Sequence, residues 1–69
     1  MDEKTILKHV LNNAVKFNGK ANPGAIIGKL IQESPEIKDK ISEISKKINE
    51  TVSKVNSMSL EQQEKELKK

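Results

Sequence analysis

The stretch Asn13–Ile31, NAVKFNGKANPGAIIGKLI, decides how this chain folds. It begins in the apolar pattern of one helix and ends in the apolar pattern of a second. Asn18-Gly19 predicts the end of the first helix, because Asn or Gly in a left-handed conformation is a common C-terminal cap. Asn22-Pro23 predicts the start of the second helix, because Asn is a favourable N-cap and Pro suits the first helical position. The sequence therefore predicts a tight corner between two helices.

Apolar residues at helical spacing predict where the first two helices lie. The first helix should span residues 3–17, with Asp2 and Glu3 at its positive end and His9 facing solvent. The second should span about 23–33. Gly24 and Gly28 lie on one edge of its apolar face, where we expect them to allow a close helix approach or, alternatively, to leave room for a ligand backbone. The predicted apolar face of the first helix consists of Ile6, Leu7, Val10, Leu11, Ala14, Val15 and Phe17.

The second half of the chain predicts one long helix and one short one. Ser34-Pro35 repeats the start signal, so a long third helix is expected over about 35–57, lying across the first two. Ser59 and Gln62 match a capping box and predict a short fourth helix with few apolar anchors. The third helix carries a narrow apolar stripe typical of a coiled-coil seam, formed by Ile37, Ile41, Ile44, Ile48, Val52 and Val55.

These patterns predict an all-α fold, with a helical hairpin, a long third helix and a short C-terminal helix. We expect residues 1–58 to form a helical domain and residues 59–69 to form a short helix leading into a linker. With 69 residues, no cysteine and Phe17 as its one aromatic residue, the chain must build a small core from Ile, Leu, Val and Ala. It shows neither a secretion signal nor an apolar run long enough to span a membrane, so a cytoplasmic protein without a membrane partner is expected.

The positive charge of the chain is concentrated in its first half. Residues 1–30 hold five lysines against two acids, whereas residues 31–69 hold eight lysines and eight acids. All thirteen cations are lysine, so bidentate arginine contacts to phosphate or guanine are excluded. The corner should therefore attract anions, and the alternative is that its polar residues only cap and solvate a turn. The candidate anion-binding residues are Lys16, Asn18, Lys20, Asn22 and Lys29.

The corner also resembles a known family. The run NAVKFNGKANP, which leads into a helix that contains GKL, is similar to the N-terminal helical domain of archaeal-type glutamyl-tRNA synthetases. The resemblance continues through SPEIKDK and VNSMSLEQQEKEL and covers about residues 7–67. The same run resembles the tail domains of the B subunit of tRNA-dependent amidotransferases and the N-terminal domain of eukaryotic glutaminyl-tRNA synthetases.

The resemblance implies a non-catalytic domain of a glutamate–tRNA ligase that assists tRNA binding during translation. In that family a separate domain charges tRNA with glutamate, using ATP and Mg²⁺. The family's catalytic signatures, His-x-Gly-His and Lys-hydrophobic-Ser-Lys-Ser, are absent here, as are the common nucleotide-binding and metalloprotease motifs. We therefore expect no catalytic residue, metal site or cofactor within these 69 residues, and a gene that continues into a nucleotide-binding domain.

The implied partner is tRNA, contacted weakly through its backbone by the five candidate residues of the corner, and a monomer is expected. A second hypothesis stays open. The narrow stripe on residues 37–55 could pair with a helix of another translation protein, which would make the chain a protein-docking module of a synthetase complex.

Overall fold

The computed structural model describes residues 2–69, and every regular element within them is helical. The all-α prediction is therefore confirmed. Four α-helices and one 3₁₀ helix form a body of about 35 × 19 × 18 Å. The elements are α1 (Glu3–Lys16), α2 (Pro23–Glu33), a 3₁₀ helix (Pro35–Lys40), α3 (Ile41–Asn56) and α4 (Leu60–Leu67).

Side-chain caps start three of the α-helices, and those at Asn22 and Ser59 confirm predictions from the sequence. The Asp2 carboxylate accepts the Thr5 N–H at 2.8 Å. The pKa of Asp2 is held below its ordinary value, first by a hydrogen bond with the Thr5 side chain and then by the bond from its backbone. In the same way Asn22 caps α2 and Ser59 caps α4, accepting the N–H groups of Ala25 at 3.3 Å and Gln62 at 3.1 Å.

The core lies where α3 crosses α1 and α2. Helix α1 packs most extensively against α3 and α4, whereas α2 packs against α3 and the 3₁₀ helix. The third helix thus lies across the hairpin of α1 and α2, as expected. The buried core residues are Ile6, Val10, Leu11, Ala14, Ala21, Ile26, Leu30, Ile37, Ile44, Ile48, Val52 and Val55.

The prediction of one continuous helix over 35–57 is wrong in its first part. Residues Pro35–Lys40 form a 3₁₀ helix, and Lys40 has non-helical dihedral angles (φ −119°, ψ 21°) at the junction with α3. Ser34 precedes the 3₁₀ helix without a side-chain capping bond. The bend at Lys40 lets the 3₁₀ helix pack against α2 while α3 packs against α1.

The apolar stripe of the third helix faces inward. Ile37 and Ile44 are buried, and so are Ile48, Val52 and Val55, while Ile41 is partly buried beside the bend. A 3₁₀ helix turns about 120° per residue instead of 100°, so it rotates Ile37 relative to the positions of a continuous α-helix. The stripe is thus covered by the chain's own helices.

The prediction that Gly24 and Gly28 allow a close helix approach is wrong. Both residues are exposed. A Cβ atom added at Gly28 would meet no atom within 4 Å, and one added at Gly24 would meet only the Asn22 side chain, at 3.3 Å. Helix α2 instead buries Ile26 and Leu30, so its glycines lie on the outer surface.

Helix α4 is held more firmly than its few leucines predict. It packs against α1, and it inserts the Gln63 side chain, which is fully buried, into the interior. That residues 59–69 lead onward into a linker and a further domain stays a prediction. Within residues 2–69, none of the helices combines the length and the apolar character needed to cross a membrane.

Candidate nucleic-acid interface

The connection between α1 and α2, residues 17–22, has a defined backbone. The Phe17 N–H donates to the carbonyls of Asn13 at 3.1 Å and Ala14 at 3.2 Å. Asn18 and Gly19 then adopt left-handed conformations, with φ values of 60° and 96°. The Gly19 N–H returns to the Ala14 carbonyl at 2.7 Å. The predicted left-handed helix end is therefore confirmed, with two consecutive residues in that conformation.

Three amide side chains from outside the connection hold it in place. Asn56, at the end of α3, accepts the Ala21 N–H at 2.8 Å and donates to the Ala21 carbonyl at 3.4 Å. Gln63 donates to the Gly19 carbonyl at 3.0 Å. Asn13 accepts the Asn22 N–H at 2.7 Å. These bonds tie the connection to α1, α3 and α4 together, so the position of the neighbouring lysines depends on all three helices.

The Gln63 side chain donates hydrogen bonds to more than one carbonyl. The two N–H groups of its Nε2 donate to the carbonyls of Val55 at 2.8 Å and Gly19 at 3.0 Å, and the Met58 carbonyl, at 3.3 Å, shares one of these hydrogens. Its Oε1 is buried without a hydrogen-bond partner among the described residues. Sequence reasoning missed Gln63 and Asn56, because both lie among polar residues and no local pattern distinguishes an amide that bonds to a distant backbone group from a solvated one.

Two of the predicted lysines line one cleft between α1 and α2. Lys16 lies at the end of α1 and Lys29 in the middle of α2. His9 also lines the cleft and is partly buried, so its predicted solvent-facing position is wrong. The complete lining is His9, Asn12, Asn13, Lys16, Ala25, Ile26 and Lys29. All of its polar side chains can donate hydrogen bonds, which suits a phosphate oxygen.

The other three predicted residues lie on the corner outside this cleft. Asn18 and Lys20 are exposed on the turn. Asn22 is also exposed, but its side-chain oxygen already caps α2 through the Ala25 N–H. The five candidates therefore form one basic corner, which consists of a cleft and an adjacent turn.

The start of α2 offers fewer free amides than the sequence predicts. Pro23 has no N–H, and the N–H groups of Ala25 and Ile26 donate to the side chain and the carbonyl of Asn22. Among the described residues this leaves the Gly24 N–H as the amide of the first turn without a protein acceptor. The lysines, rather than the helix terminus, must therefore supply most of any phosphate contact.

Acidic residues are absent from the corner. The sequence contains no Asp or Glu between Lys4 and Gln32. Within residues 2–69, the ion pairs closer than 4 Å are both in the C-terminal segment, at 3.7 Å for Lys65–Glu61 and 3.0 Å for Lys69–Glu66. By contrast, the groove between α1 and α3 is lined by both signs of charge. Among the described residues, the lysines of the α1–α2 corner thus have no carboxylate partner within 4 Å.

Comparison with known proteins identifies a related region. The chain is 48% identical over 65 residues to the glutamate–tRNA ligase of Pyrococcus furiosus, covering 94% of this chain and 11% of the relative. It is 46% identical over 66 residues to that of Thermococcus onnurineus, covering 96% of the chain and 12% of the relative. It is 40% identical over 63 residues to that of Methanococcus maripaludis, covering 91% and 11%.

This chain is a homologue of one region of the glutamate–tRNA ligases. The resemblance inferred from NAVKFNGKANP is thereby confirmed. The homologous region is short, since the chain spans about 11% of the length of the curated relatives that it matches. No family model matches the chain. No solved structure matches it either.

Proposed function

We propose that this chain is a non-catalytic domain of a glutamate–tRNA ligase that helps to hold tRNA by its backbone. The observation that carries the proposal is the cleft between α1 and α2, in which Lys16 and Lys29 converge with two asparagines and no carboxylate. Charging of tRNA with glutamate would belong to the rest of such a ligase. The homology to glutamate–tRNA ligases supports tRNA as the anion.

The chemistry of the corner favours the sugar–phosphate backbone over base edges. Lysine is a flexible point charge that neutralises a phosphate but lacks the planar fork with which arginine reads guanine. Such contacts release counterions, so the affinity should fall steeply with salt and depend little on base sequence. Because side-chain hydrogen bonds from three helices fix the backbone of the turn, Asn18 and Lys20 should lose less conformational entropy on binding.

Neither ATP nor Mg²⁺ enters the role that we propose for this chain. Within residues 2–69, no group of three His, Asp or Glu side chains is placed to hold a metal ion. We assign no step through either group to this chain, and the proposed role is confined to binding.

Lysine-to-glutamine variants test the proposal. In titrations of the chain with unfractionated tRNA at several salt concentrations, Lys16→Gln and Lys29→Gln should each weaken binding and reduce the slope of log K against log salt by about 1. Lys46→Gln is the matched control, because it removes the same charge from an exposed position on α3 outside the cleft. Equal losses in all three variants would show that net charge, rather than the cleft, attracts tRNA.

Chemical-shift mapping locates the contact independently. On addition of tRNA at low salt, we expect the largest amide shifts within residues 16–29. Shifts concentrated on α3 that spare this segment would refute the assignment of the corner.

The alternative of a protein-docking module was based on an exposed apolar stripe, and the structure does not provide one. The stripe on residues 37–55 packs within the chain, so it presents no continuous seam to a foreign helix. Docking nevertheless remains a distinguishable outcome. A partner retained at about 0.5 M salt would point to apolar docking, since contacts between lysine and phosphate weaken steeply with salt.

A further inference from the structure

Phe17 is placed in an unusual position for the one aromatic residue of a chain with a small core. Its side chain is 51% exposed, and among the described residues it is the one large apolar side chain that is exposed. The sequence pattern predicts it on the buried face of α1, and that prediction is wrong. Helix α1 ends at Lys16, so residue 17 leaves the stripe formed by Val10, Leu11 and Ala14.

The backbone of Phe17 is fixed although its ring is exposed. Its N–H donates to two carbonyls of α1, and its own carbonyl accepts the Lys20 N–H at 3.3 Å. The clamp from Gln63 to Gly19 holds the turn two residues further on. With its backbone fixed, the ring has only two side-chain torsions to order on binding a ligand.

The surroundings of the ring are basic and polar. The Lys16 Nζ lies 6.0 Å from the ring centroid, at the outer limit of a cation–π contact. Asn18 and Lys20 are exposed on the same turn. A protein-docking site would be expected to present a contiguous apolar patch around an aromatic anchor, and Phe17 has no such neighbours on the turn. A single aromatic face among unpaired cations is instead typical of surfaces that bind unpaired nucleotides.

We propose that Phe17 is a stacking platform for an unpaired base of the bound RNA. The phosphates flanking that base would lie against Lys16 and Lys20, and the cleft with Lys29 would hold an adjoining part of the backbone. The inference rests on the proposed tRNA contact and extends it, because it requires the RNA to present an unstacked base at this corner. Stacking tolerates any base, so it adds affinity without demanding a sequence.

A fluorescent variant tests stacking directly. The chain has no Trp or Tyr, so Phe17→Trp introduces a single indole at the site. Stacking on a nucleobase quenches indole emission, and we expect quenching when unfractionated tRNA is added at low salt. A blunt, fully paired RNA duplex is the control, because it offers phosphates but no unpaired base within its length. Binding of tRNA without quenching, or equal quenching by the duplex, would overturn the proposal.

Salt titrations separate stacking from phosphate contact. Phe17→Leu should weaken tRNA binding about 5- to 150-fold while leaving the slope of log K against log salt unchanged. Phe17→Tyr keeps an aromatic face and should bind within about threefold of the unchanged chain. Circular dichroism of each variant shows whether the helices are retained, as expected for a half-exposed position.

The outcomes distinguish the two proposals. If Phe17→Leu binds tRNA as well as the unchanged chain while the lysine variants still lose affinity and slope, the stacking proposal fails and the tRNA contact survives. If the unchanged chain shows no salt-dependent tRNA binding, both proposals fail. If Phe17→Leu instead abolishes capture of a protein partner and spares tRNA binding, the ring is a protein contact and the stacking proposal is wrong.

Discussion

Ile48 in α3 and Gly19 in the turn after α1 lie in two regions that are stabilised by different interactions. Around Ile48 the helices bury aliphatic side chains against one another, and the region contains almost no polar group. Around Gly19 the stabilising contacts are hydrogen bonds from the side-chain amides of Asn13, Asn56 and Gln63 to backbone groups. The first region determines whether the chain folds. The second determines where the basic corner is held. Some variants should therefore change mainly the stability of the fold, and others mainly the position of the corner.

The largest effect is expected from the interior. Ile48 is fully buried, so Ile48→Ala should lower the free energy of unfolding by about 2–5 kcal/mol. Because a chain of this size has little stability in reserve, this variant should lose both helical signal and tRNA binding. Lys47→Ala, at the exposed neighbouring position, is the control and should change stability little. Urea denaturation followed by circular dichroism measures both, and a fully stable Ile48→Ala variant would contradict the described core.

The second largest effect is expected from Gln63, whose side chain holds the turn through a hydrogen bond to the Gly19 carbonyl. Gln63→Ala leaves the Gly19 carbonyl without its donor, while the Val55 carbonyl keeps the Met58 N–H at 3.0 Å, so the loss should cost about 1–3 kcal/mol. Gln62→Ala is the matched control, since Gln62 is exposed and its side chain donates only to Glu66 within α4. Amide hydrogen exchange should also accelerate at Gly19 and Lys20 in the first variant only. Indistinguishable stabilities for the two variants would mean that the buried amide contributes nothing to the turn.

Two glycine substitutions should have opposite signs. Gly19 has a φ of 96°, a conformation that L residues with a Cβ rarely adopt, so Gly19→Ala should destabilise by about 1–2 kcal/mol. Gly28 lies in α2 with open space around its Cα, so Gly28→Ala should stabilise by about 0.5–1 kcal/mol. Thermal unfolding of both variants provides the measurement. If Gly19→Ala stabilised the chain as Gly28→Ala does, the left-handed backbone at residue 19 would not be required for the turn.

The smallest effect lies at the start of α1, away from both regions. The folded-state pKa of Asp2 is lowered by its bonds with Thr5, so its capping contribution is present above the unfolded pKa of about 3.9 and is lost as pH falls through the folded pKa. Asp2→Asn caps without titrating. We therefore expect the unchanged chain to lose stability relative to Asp2→Asn only below about pH 4. A constant difference between pH 7 and pH 2 would refute the contribution of the charged cap.

The features set by neighbours in sequence were predictable. The caps at Asn22 and Ser59 and the left-handed end of α1 follow from local chemistry, and the buried face of α3 follows from the spacing of its apolar residues. The concentration of lysine in the first thirty residues also needs only the sequence. These features identified an all-α chain with a basic corner, and the run NAVKFNGKANP pointed to its ligase relatives.

The tertiary structure alone decided which side chains complete that corner. Gln63 reaches Gly19 across 44 positions of sequence and Asn56 reaches Ala21 across 35, distances over which local propensity carries no information. The half-buried place of His9 depends on α2 lying against α1, and the exposure of Phe17 depends on the residue at which α1 ends. A polar side chain is buried only where folding brings unpaired backbone groups to it, and an apolar one is exposed only where the chain turns away from the core. Both outcomes are set by the packing of whole helices rather than by the residues next to them.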